Sequence, residues 1–563
     1  MSTSELRESF VKVLSTGLVS NTLSTCSRWA THRRVMGMPL EGPYSFLHHP
    51  WCEEIHDSLS IYNTTMKAAQ MGMTEIAINR AFFTIDVLKK DVLYVLPTAL
   101  NASDFAKSRF NTALSYSEYL SLLFTDTNTI GLKQAGGVNL YIRGSRGDSN
   151  LKSIPVSTLI LDELDEMDEK QIWLALERLS GHKEKSVWSI STPTIPKFGI
   201  HKMYVQGTQE HYMFKCPHCS KWTELVWPDC VEICGEAIND PETKRSFLKC
   251  RECRHKLDHE EKHLWLSSSN AKWVPTASCN EDHRSFHINQ LYSYAMTPGE
   301  IVIAHFRGVG DEAANVEFFN SKLGMPYIPD GGQVTDEELD SLIGPHSKQD
   351  PRPTIGREKL ICMGVDQGKM NHIVIMQFEL GKYGSGGAMD LNAAYTAKLL
   401  WEGKISGSNF KDLDRFMAEW QVLACVIDAD PQINDARRFA RRFPGFAYLC
   451  RYRGGVTGKE IQMSEEDGGA PILTVDRTNW LDAMLGRFHS NRISLPTDIS
   501  LEFRDHTKNL VRTYVRDDMG NPRATYLNTG ADHFAHALNY AEIALQMASG
   551  VVDSGADLTD KVI

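Results

Sequence analysis

Leu159-Ile160-Leu161-Asp162-Glu163 is the stretch on which the reading of this chain turns. The apolar run from Val156 to Leu161, with small breaks at Ser157 and Thr158, suits a strand covered on both faces. Two adjacent carboxylates follow at its C-terminal end, the edge at which parallel α/β sheets bind ligands. Asp162 can there hold a Mg²⁺ bridging nucleotide phosphates, and Glu163 can polarise the water that attacks a γ-phosphate. This is the pattern of a Walker B element followed by a catalytic glutamate. A strand that merely ends in a solvated Asp-Glu turn has the same five letters.

At 563 residues the chain exceeds one hydrophobic core, and its length suggests about three or four domains. Hydrophobic content of 42% and charged content of 23% are those of an ordinary soluble protein. A net charge of -11 excludes a uniformly basic coat but leaves room for a local basic groove. The start MSTSELRESFVKVL lacks the basic-then-apolar order of a secretion signal, and no apolar run approaches the length of a membrane span. The expectation is a cytoplasmic protein without membrane contact, whose twelve cysteines are thiols or metal ligands. There is no internal repeat at solenoid or propeller periods.

A Walker B element needs a phosphate loop upstream, and the pattern G-x-x-x-x-G-K-[ST] is absent. The best match is Lys67-Ala68-Ala69-Gln70-Met71-Gly72-Met73-Thr74, between a short strand pattern and a helical stretch from Glu75 to Leu88. Lysine stands in place of the first glycine, and Met73 stands where the lysine belongs. Backbone amides at the helix start, around Gln70 and Gly72, can still cradle anions. Gly72 permits close approach, Thr74 can reach Mg²⁺, and Lys67 can supply an ammonium from the other side of the loop. A plain strand-to-helix turn remains the alternative. Asp91 to Leu96 and Ser186 to Ile190 are further strand patterns, closing on Pro97-Thr98 and Ser191-Thr192-Pro193-Thr194. Ser191 and Thr192 are placed to sense a γ-phosphate.

Cys216-Pro217-His218-Cys219 and Cys250-Arg251-Glu252-Cys253 form two C-x-x-C knuckles separated by thirty residues. Two such pairs can converge on one tetrahedral Zn²⁺, and four thiolates would close its coordination sphere, so the role expected is structural. His218, His255, Cys230 and Cys234 lie nearby as bystanders or substitute ligands. Beyond about residue 326 a connector rich in Pro, Gly and charge precedes a second set of strand patterns. Leu360 to Val365 ends at Asp366, Ile373 to Phe378 follows, and Leu423 to Ile427 ends at Asp428, with Asp430 two residues on. Asp532 opens an amphipathic helix that also carries His536. Three carboxylates from two strand ends and a helix start can hold two divalent metals for phosphodiester cleavage. Arg437, Arg438, Arg441, Arg442, Arg451 and Arg453 could track DNA phosphates or form a solvated face.

In this order the motifs resemble the large terminase subunits of tailed phages, most closely the lambda-type branch, over roughly residues 40 to 545. That branch carries a displaced Walker A lysine, to which Lys67 is similar. The resemblance implies an α/β protein with an N-terminal P-loop ATPase of the ASCE type, an inserted zinc ribbon and a C-terminal RNase H-like nuclease. It implies an adenine-binding role for Tyr44, which could equally be a packed aromatic. Arg143 and Arg146 resemble arginine fingers in placement, and a solvated basic turn is their alternative. Ser191 to Thr194 looks like the coupling motif. Asp366, Asp428 and Asp532 match the nuclease acids, with Asp430 competing for the second place.

The organisation expected is a helical segment over 1–35, an ATPase core over 36–210, a zinc ribbon over 211–260 and the remainder of the ATPase or a linker subdomain over 261–325. A connector over 326–357, a nuclease over 358–545 and a flexible tail over 546–563 complete it. The implied cofactors are ATP, Mg²⁺ or Mn²⁺, and Zn²⁺. The implied partners are double-stranded DNA, a small terminase subunit, the portal protein and further copies of the chain in a ring, all in the host cytoplasm. A helicase-nuclease of DNA repair would share the ATPase, and a zinc-bearing DNA-binding scaffold would share the cysteines.

Overall fold

A computed structural model describes residues 23–38, 40–147, 151–152, 154–278, 282–352, 359–380, 394–407, 410–453, 458–465, 470–517 and 520–553. The chain forms two compact units, Met1–Tyr327 and Ile328–Ile563. Among the described residues no helix is long and apolar enough to cross a membrane.

The first unit is built on an 11-stranded sheet. Its middle consists of β1 (Tyr62–Lys67), β2 (Val92–Leu96), β3 (Val138–Gly144), β4 (Thr158–Asp162), β5 (Ser186–Ser191), β6 (Glu210–Lys215) and β7 (His283–Ile288). These run parallel in the order β6-β7-β1-β5-β4-β2-β3. Strands β2 and β4 are buried along their whole length, as the uninterrupted apolar runs require. Helix α1 (Met73–Asp86) follows β1 and buries Ile76, Phe82 and Phe83 in a core shared with Tyr94 and Trp188.

Strand β6 belongs to the main sheet, and Trp222–Thr223, between the two knuckles, pairs with it there, so the segment bearing the knuckles stays joined to that sheet. It carries a separate three-stranded sheet of Val231–Glu232, Phe247–Lys249 and Lys256–Leu257. Strand β7, inside the stretch read as an ATPase remainder, pairs with β1 from His283↔Tyr62 to Ile288↔Lys67. Its sequence, HRSFHI, mixes polar and apolar residues too freely to announce a central strand.

The second unit carries an eight-stranded sheet. Its strands are β8 (Lys359–Asp366), β9 (Met370–Leu380), β10 (Tyr395–Ser406), β11 (Ala424–Asp428), β12 (Ala447–Tyr452), β13 (Gln462–Glu465), β14 (Pro471–Val475) and β15 (Ile493–Ser494). The order is β13-β14-β12-β11-β8-β9-β10-β15. β8, β9 and β10 form an antiparallel meander, whereas β8, β11, β12 and β14 are parallel neighbours. Helix α2 (Ile433–Arg442) follows β11, and α3 (Arg477–His489), α4 (Leu501–Lys508) and α5 (His533–Asp553) follow β14.

α5 reaches eight residues into the segment expected as a tail, because its face of Ala541, Ala544, Leu545 and Ala548 is buried in the core. Residues 554–563, and residues 1–22 of the expected N-terminal segment, lie outside the described residues. α5 lies so close on β8 that a Cβ at Gly364 would collide with the carbonyl of Ala537 and the amide of Ala541. Gly364→Ala should therefore destabilise the second unit by about 1–3 kcal/mol, the usual cost of overpacking. Thermal unfolding of the full chain should show the transition of residues 328–563 moving to lower temperature while that of the first unit stays in place.

Candidate functional site

In the first unit, polar groups gather where β1, β4 and β5 end. Because β5 lies between β1 and β4, Lys67 at the end of β1 must reach over it to meet the acid strand. Its ammonium donates to Glu163 Oε1 at 3.1 Å and to Thr192 Oγ1 at 3.3 Å. Glu163 has a left-handed backbone, with φ 56°. For a residue other than glycine this is a strained conformation of the kind that clusters at functional sites.

Asp162 is 1% exposed. Tyr94 OH donates to its Oδ2 at 2.5 Å, while its Oδ1 is buried without a hydrogen-bond partner. Burial, and then the charge of Glu163, push the Asp162 carboxyl up to about 6. An orphaned buried carboxylate oxygen fits a divalent cation, and Thr74 stands in the first turn of α1. Gly72 caps α1 in the left-handed region at φ 82°, and Gln70 in the same loop has φ 58°. The turn is braced by Trp51 Nε1 on the carbonyl of Met71 at 2.9 Å and by Gln290 Nε2 on that of Ala69 at 2.8 Å.

Ser191 accepts from the backbone N–H of Asp165 at 3.1 Å. The sequence passed over Asp165, yet its side chain ties the acid loop to the end of β5. Thr194 donates to Asp165 Oδ2 through both its N–H and its hydroxyl, each at 2.9 Å, and Ile200 N donates to Oδ1 at 2.6 Å. The signal available was the repeat of acids in Asp162-Glu163-Leu164-Asp165, but only the tertiary fold shows which of them turns inward.

Of the other residues singled out, Tyr44 is buried against Phe46 and His56, with centroids 5.3 and 5.7 Å away. Arg143 lies on β3 and donates to the carbonyls of Gly131 and Ile142. Arg146, in the loop after β3, is close enough for its charge to act on Glu166, just beyond Glu163.

The four knuckle cysteines, Cys216, Cys219, Cys250 and Cys253, converge, with all four sulfurs within 4.8 Å of one another. Cys216 and Cys253 Sγ are 3.9 Å apart. A tetrahedron of about 2.3 Å metal–sulfur bonds has an edge of about 3.8 Å. The two knuckles repeat one geometry. Ser220 and Arg254 donate their N–H to the carbonyls of Cys216 and Cys250, both at 2.9 Å, and both are left-handed, with φ 59° and 60°. The rings of His218 and His255 meet at 3.6 Å, tilted by 36°. Cys230 Sγ points to the carbonyl of Glu224. The cluster can hold a metal ion.

In the second unit Asp366 and Asp428 end the adjacent parallel strands β8 and β11. Gln367 bridges these ends, donating to the carbonyl of Asp428 and accepting from Gln432 N at 3.1 Å. Burial and then the charge of Asp366 are among the causes that push Asp428 up to about 6, partly opposed by the N–H of Asp430. Asp430 itself is exposed and paired with Arg451 at 3.3 Å.

Asp532, just before α5, pairs with His536 at 3.2 Å. Burial would raise its carboxyl, but the His536 hydrogen bond and neighbouring positive groups hold it below the ordinary range. Among the described residues, the ligand atoms of Asp366, His372 and His533 all lie within 4.8 Å of one another. His372 is the cross-strand partner of Asp366 in the β8–β9 hairpin, and His533 opens α5 one residue after Asp532. Neither histidine was singled out in the sequence, although His533 stood beside a quoted aspartate. The arginines of α2 are partly engaged with acids, Arg438 with Asp435 at 3.1 Å and Arg442 with Asp414 at 2.7 Å.

Residues 39–273 match the family model described as phage terminase large subunit gpA, ATPase domain. An ATPase-domain match thus covers the stretch from before Tyr44 to beyond the knuckle cysteines, without separating one branch of that family from another. No curated protein matches the chain. Among solved structures, the chain is similar to the large terminase of bacteriophage HK97, at 9% identity and a TM-score of 0.48, over 92% of this chain and 98% of that one. It is also similar to the large terminase ATPase domain of a Thermus phage, at 15% identity and a TM-score of 0.30, over 51% of this chain and 95% of that one. The large terminase nuclease of thermophilic phage G20c is similar at 14% identity and a TM-score of 0.23, over 37% of this chain and 97% of that one.

Two measurements check this geometry. Protein purified without chelator should carry zinc in amounts matching the four-cysteine cluster, and Cys250→Ala should lose it and lower the melting temperature of the first unit. Burial pushes Asp165 from 3.8 up to about 7. Below about pH 4 it is protonated both folded and unfolded, so the stability associated with its raised value is fully present. As pH rises towards 7, the unfolded chain ionises first and that contribution is lost. Asp165→Asn should remove this slope, so the melting-temperature difference between variant and wild type should change across pH 4–7 and be flat above it.

Proposed function

We propose that the chain is the large subunit of a viral DNA-packaging terminase of the lambda type. In this reading it couples ATP hydrolysis to movement of double-stranded DNA into a procapsid and cuts the concatemeric genome. The observation that carries the reading is the contact of Lys67 with Glu163 and Thr192 beside the buried Asp162, inside the stretch that matches the ATPase-domain family model. Placement of β5 between β1 and β4 supports an ASCE-type fold, in which an additional strand separates the phosphate loop from the acid strand. The antiparallel meander flanked by parallel strands in the second unit supports an RNase H-like fold.

In the ATPase, Gln70, Gly72 and the first turn of α1 cradle the phosphates, Lys67 offers its ammonium, and Tyr44 flanks the adenine. Thr74 and Asp162 would hold Mg²⁺, which neutralises phosphate charge when bound. Glu163 orients the attacking water. Its carboxylate is paired with Lys67, and a phosphate that draws the ammonium away would free it for that task. Ser191 and Thr192 report the loss of the γ-phosphate, and Asp165 links them to the loop of Glu163. Arg146, and less directly Arg143, supplies positive charge near this loop.

In the nuclease, Asp366, Asp428 and Asp532 would hold the divalent ions that activate water and stabilise the leaving oxygen. The four cysteines would hold a structural Zn²⁺. The partners proposed are DNA, a small terminase subunit, the portal and a ring of copies, in the host cytoplasm. The proposed segments are those set out above: 1–35, 36–210, 211–260, 261–325, 326–357, 358–545 and 546–563.

Glu163→Gln should lower DNA-stimulated ATP turnover by about 10²–10⁴-fold, the range for loss of a positioned base, while leaving DNA cutting largely in place. Asp366→Ala should do the reverse. Parallel phosphate-release and plasmid-cleavage assays check this, and loss of both activities from either change in folded protein would overturn a two-site enzyme. Packaging into empty procapsids separates a terminase from a repair helicase-nuclease.

A further inference from the structure

Lys67 is the last residue of β1, whereas Met73, where the lysine of a phosphate loop ordinarily stands, opens α1. A lysine in the first turn of a helix is aimed by that helix, but the ammonium of Lys67 is aimed by the final peptides of a strand. Those peptides are closely held. Ala68 N donates to the carbonyl of Ile288 at the end of β7, and Ala69 N to that of Ser321, both at 2.8 Å. Gly324, in the left-handed region at φ 61°, lies against the Lys67–Ala68 peptide. A Cβ there would stand 2.5 Å from Ala68 N and 2.7 Å from the carbonyl carbon of Lys67.

The segment that does this, Phe318–Tyr327, also reaches the other end of the lysine. Tyr327 N donates to the carbonyl of Thr194 at 3.0 Å, two residues beyond the Thr192 hydroxyl that accepts from Lys67 at 3.3 Å. The segment is itself fixed. Phe318 and Leu323 are buried, and His287 Nε2 donates to the carbonyl of Leu323 at 3.0 Å. The rings of Phe319 and Tyr327 stack at 4.4 Å and 4°, and Asn315 Nδ2 donates to Tyr327 OH at 2.8 Å. One clasp thus bears both on the backbone of Lys67 and on the turn that receives its ammonium.

We propose that this clasp aims Lys67, with Gly324 and Tyr327 as positioning residues for nucleotide turnover. The inference rests on the reading of Lys67 as a phosphate ligand and adds what holds it in place. A side chain at position 324 meets backbone, which cannot swing aside, so the Lys67–Ala68 peptide must shift and the ammonium with it. A charge-assisted hydrogen bond to a γ-phosphate is sensitive to such a shift. ADP, which lacks that phosphate, is affected less.

Equilibrium binding of ADP and of a non-hydrolysable ATP analogue to the full chain, with ATP turnover on the same samples, tests this. Lys67→Ala should lower the preference for the triphosphate over ADP by about 10–100-fold, the loss of one charge-assisted hydrogen bond. Gly324→Ala should lower it by about tenfold and kcat by about 10²-fold, the cost of a misplacement of about 1 Å, while the first unit keeps its thermal transition. In the Lys67→Ala background Gly324→Ala should remove nothing further, because both act on one contact. An unchanged preference in folded Gly324→Ala, or a second full loss in the double variant, would overturn the clasp. If Gly324→Ala does not fold, Phe319→Ala, which opens the ring stack without a collision, decides by the same preference. Lys67→Ala that keeps the wild-type preference removes the phosphate role of Lys67 and the clasp with it. Lys67→Ala that loses the preference beside an unchanged Gly324→Ala removes the clasp alone.

Discussion

The arrangement in the first unit depends on a carboxylate buried at the end of a buried strand. Asp162 cannot be solvated there, and burial together with the neighbouring Glu163 raises it to about 6. Burying an ionisable group in this way is tolerated only where partners offset the lost hydration. Tyr94 satisfies one oxygen and leaves the other open. The chain then turns sharply at Glu163, whose left-handed backbone places a second carboxylate outside the sheet, within reach of Lys67. The end of β1, the turn after β4 and the turn after β5 are thus joined through one ammonium.

The second unit meets the same problem with different chemistry. Asp366 also ends a buried strand, but what faces it across the hairpin and from α5 is imidazole. The close seat of α5 on β8, made possible by Gly364, brings His533 to the strand end. Packing and chemistry are therefore one constraint here, because a helix held further out would leave Asp366 with strand neighbours alone.

How much could be read in advance varied with how local the signal was. The knuckle cysteines are paired two and two in sequence, and a C-x-x-C turn shapes each pair without outside help, so their convergence needed only one long-range contact. Asp162, Glu163, Asp366 and Asp428 stand at the ends of apolar runs, and a run long enough to be buried has its polar residues at the sheet edge. Asp165, His372 and His533 carried no such mark. Asp165 and His533 owe their places to partners far away in sequence, Thr194 and Ile200 for the one and Asp366 for the other, and His372 owes its place to the register of the β8–β9 hairpin. Strand β7 was hidden for a related reason, since its place beside β1 depends on pairing across more than two hundred residues.

The sequence by itself therefore determined the α/β class, the strands that end in acids and the cysteine pairs, because periodicity and short-range turns are properties of neighbouring residues. Only the tertiary structure decided that Lys67 meets Glu163 across β5, that Asp165 faces inward and that histidines surround Asp366. Strand order and helix seating set those distances, and neither is encoded in any local stretch.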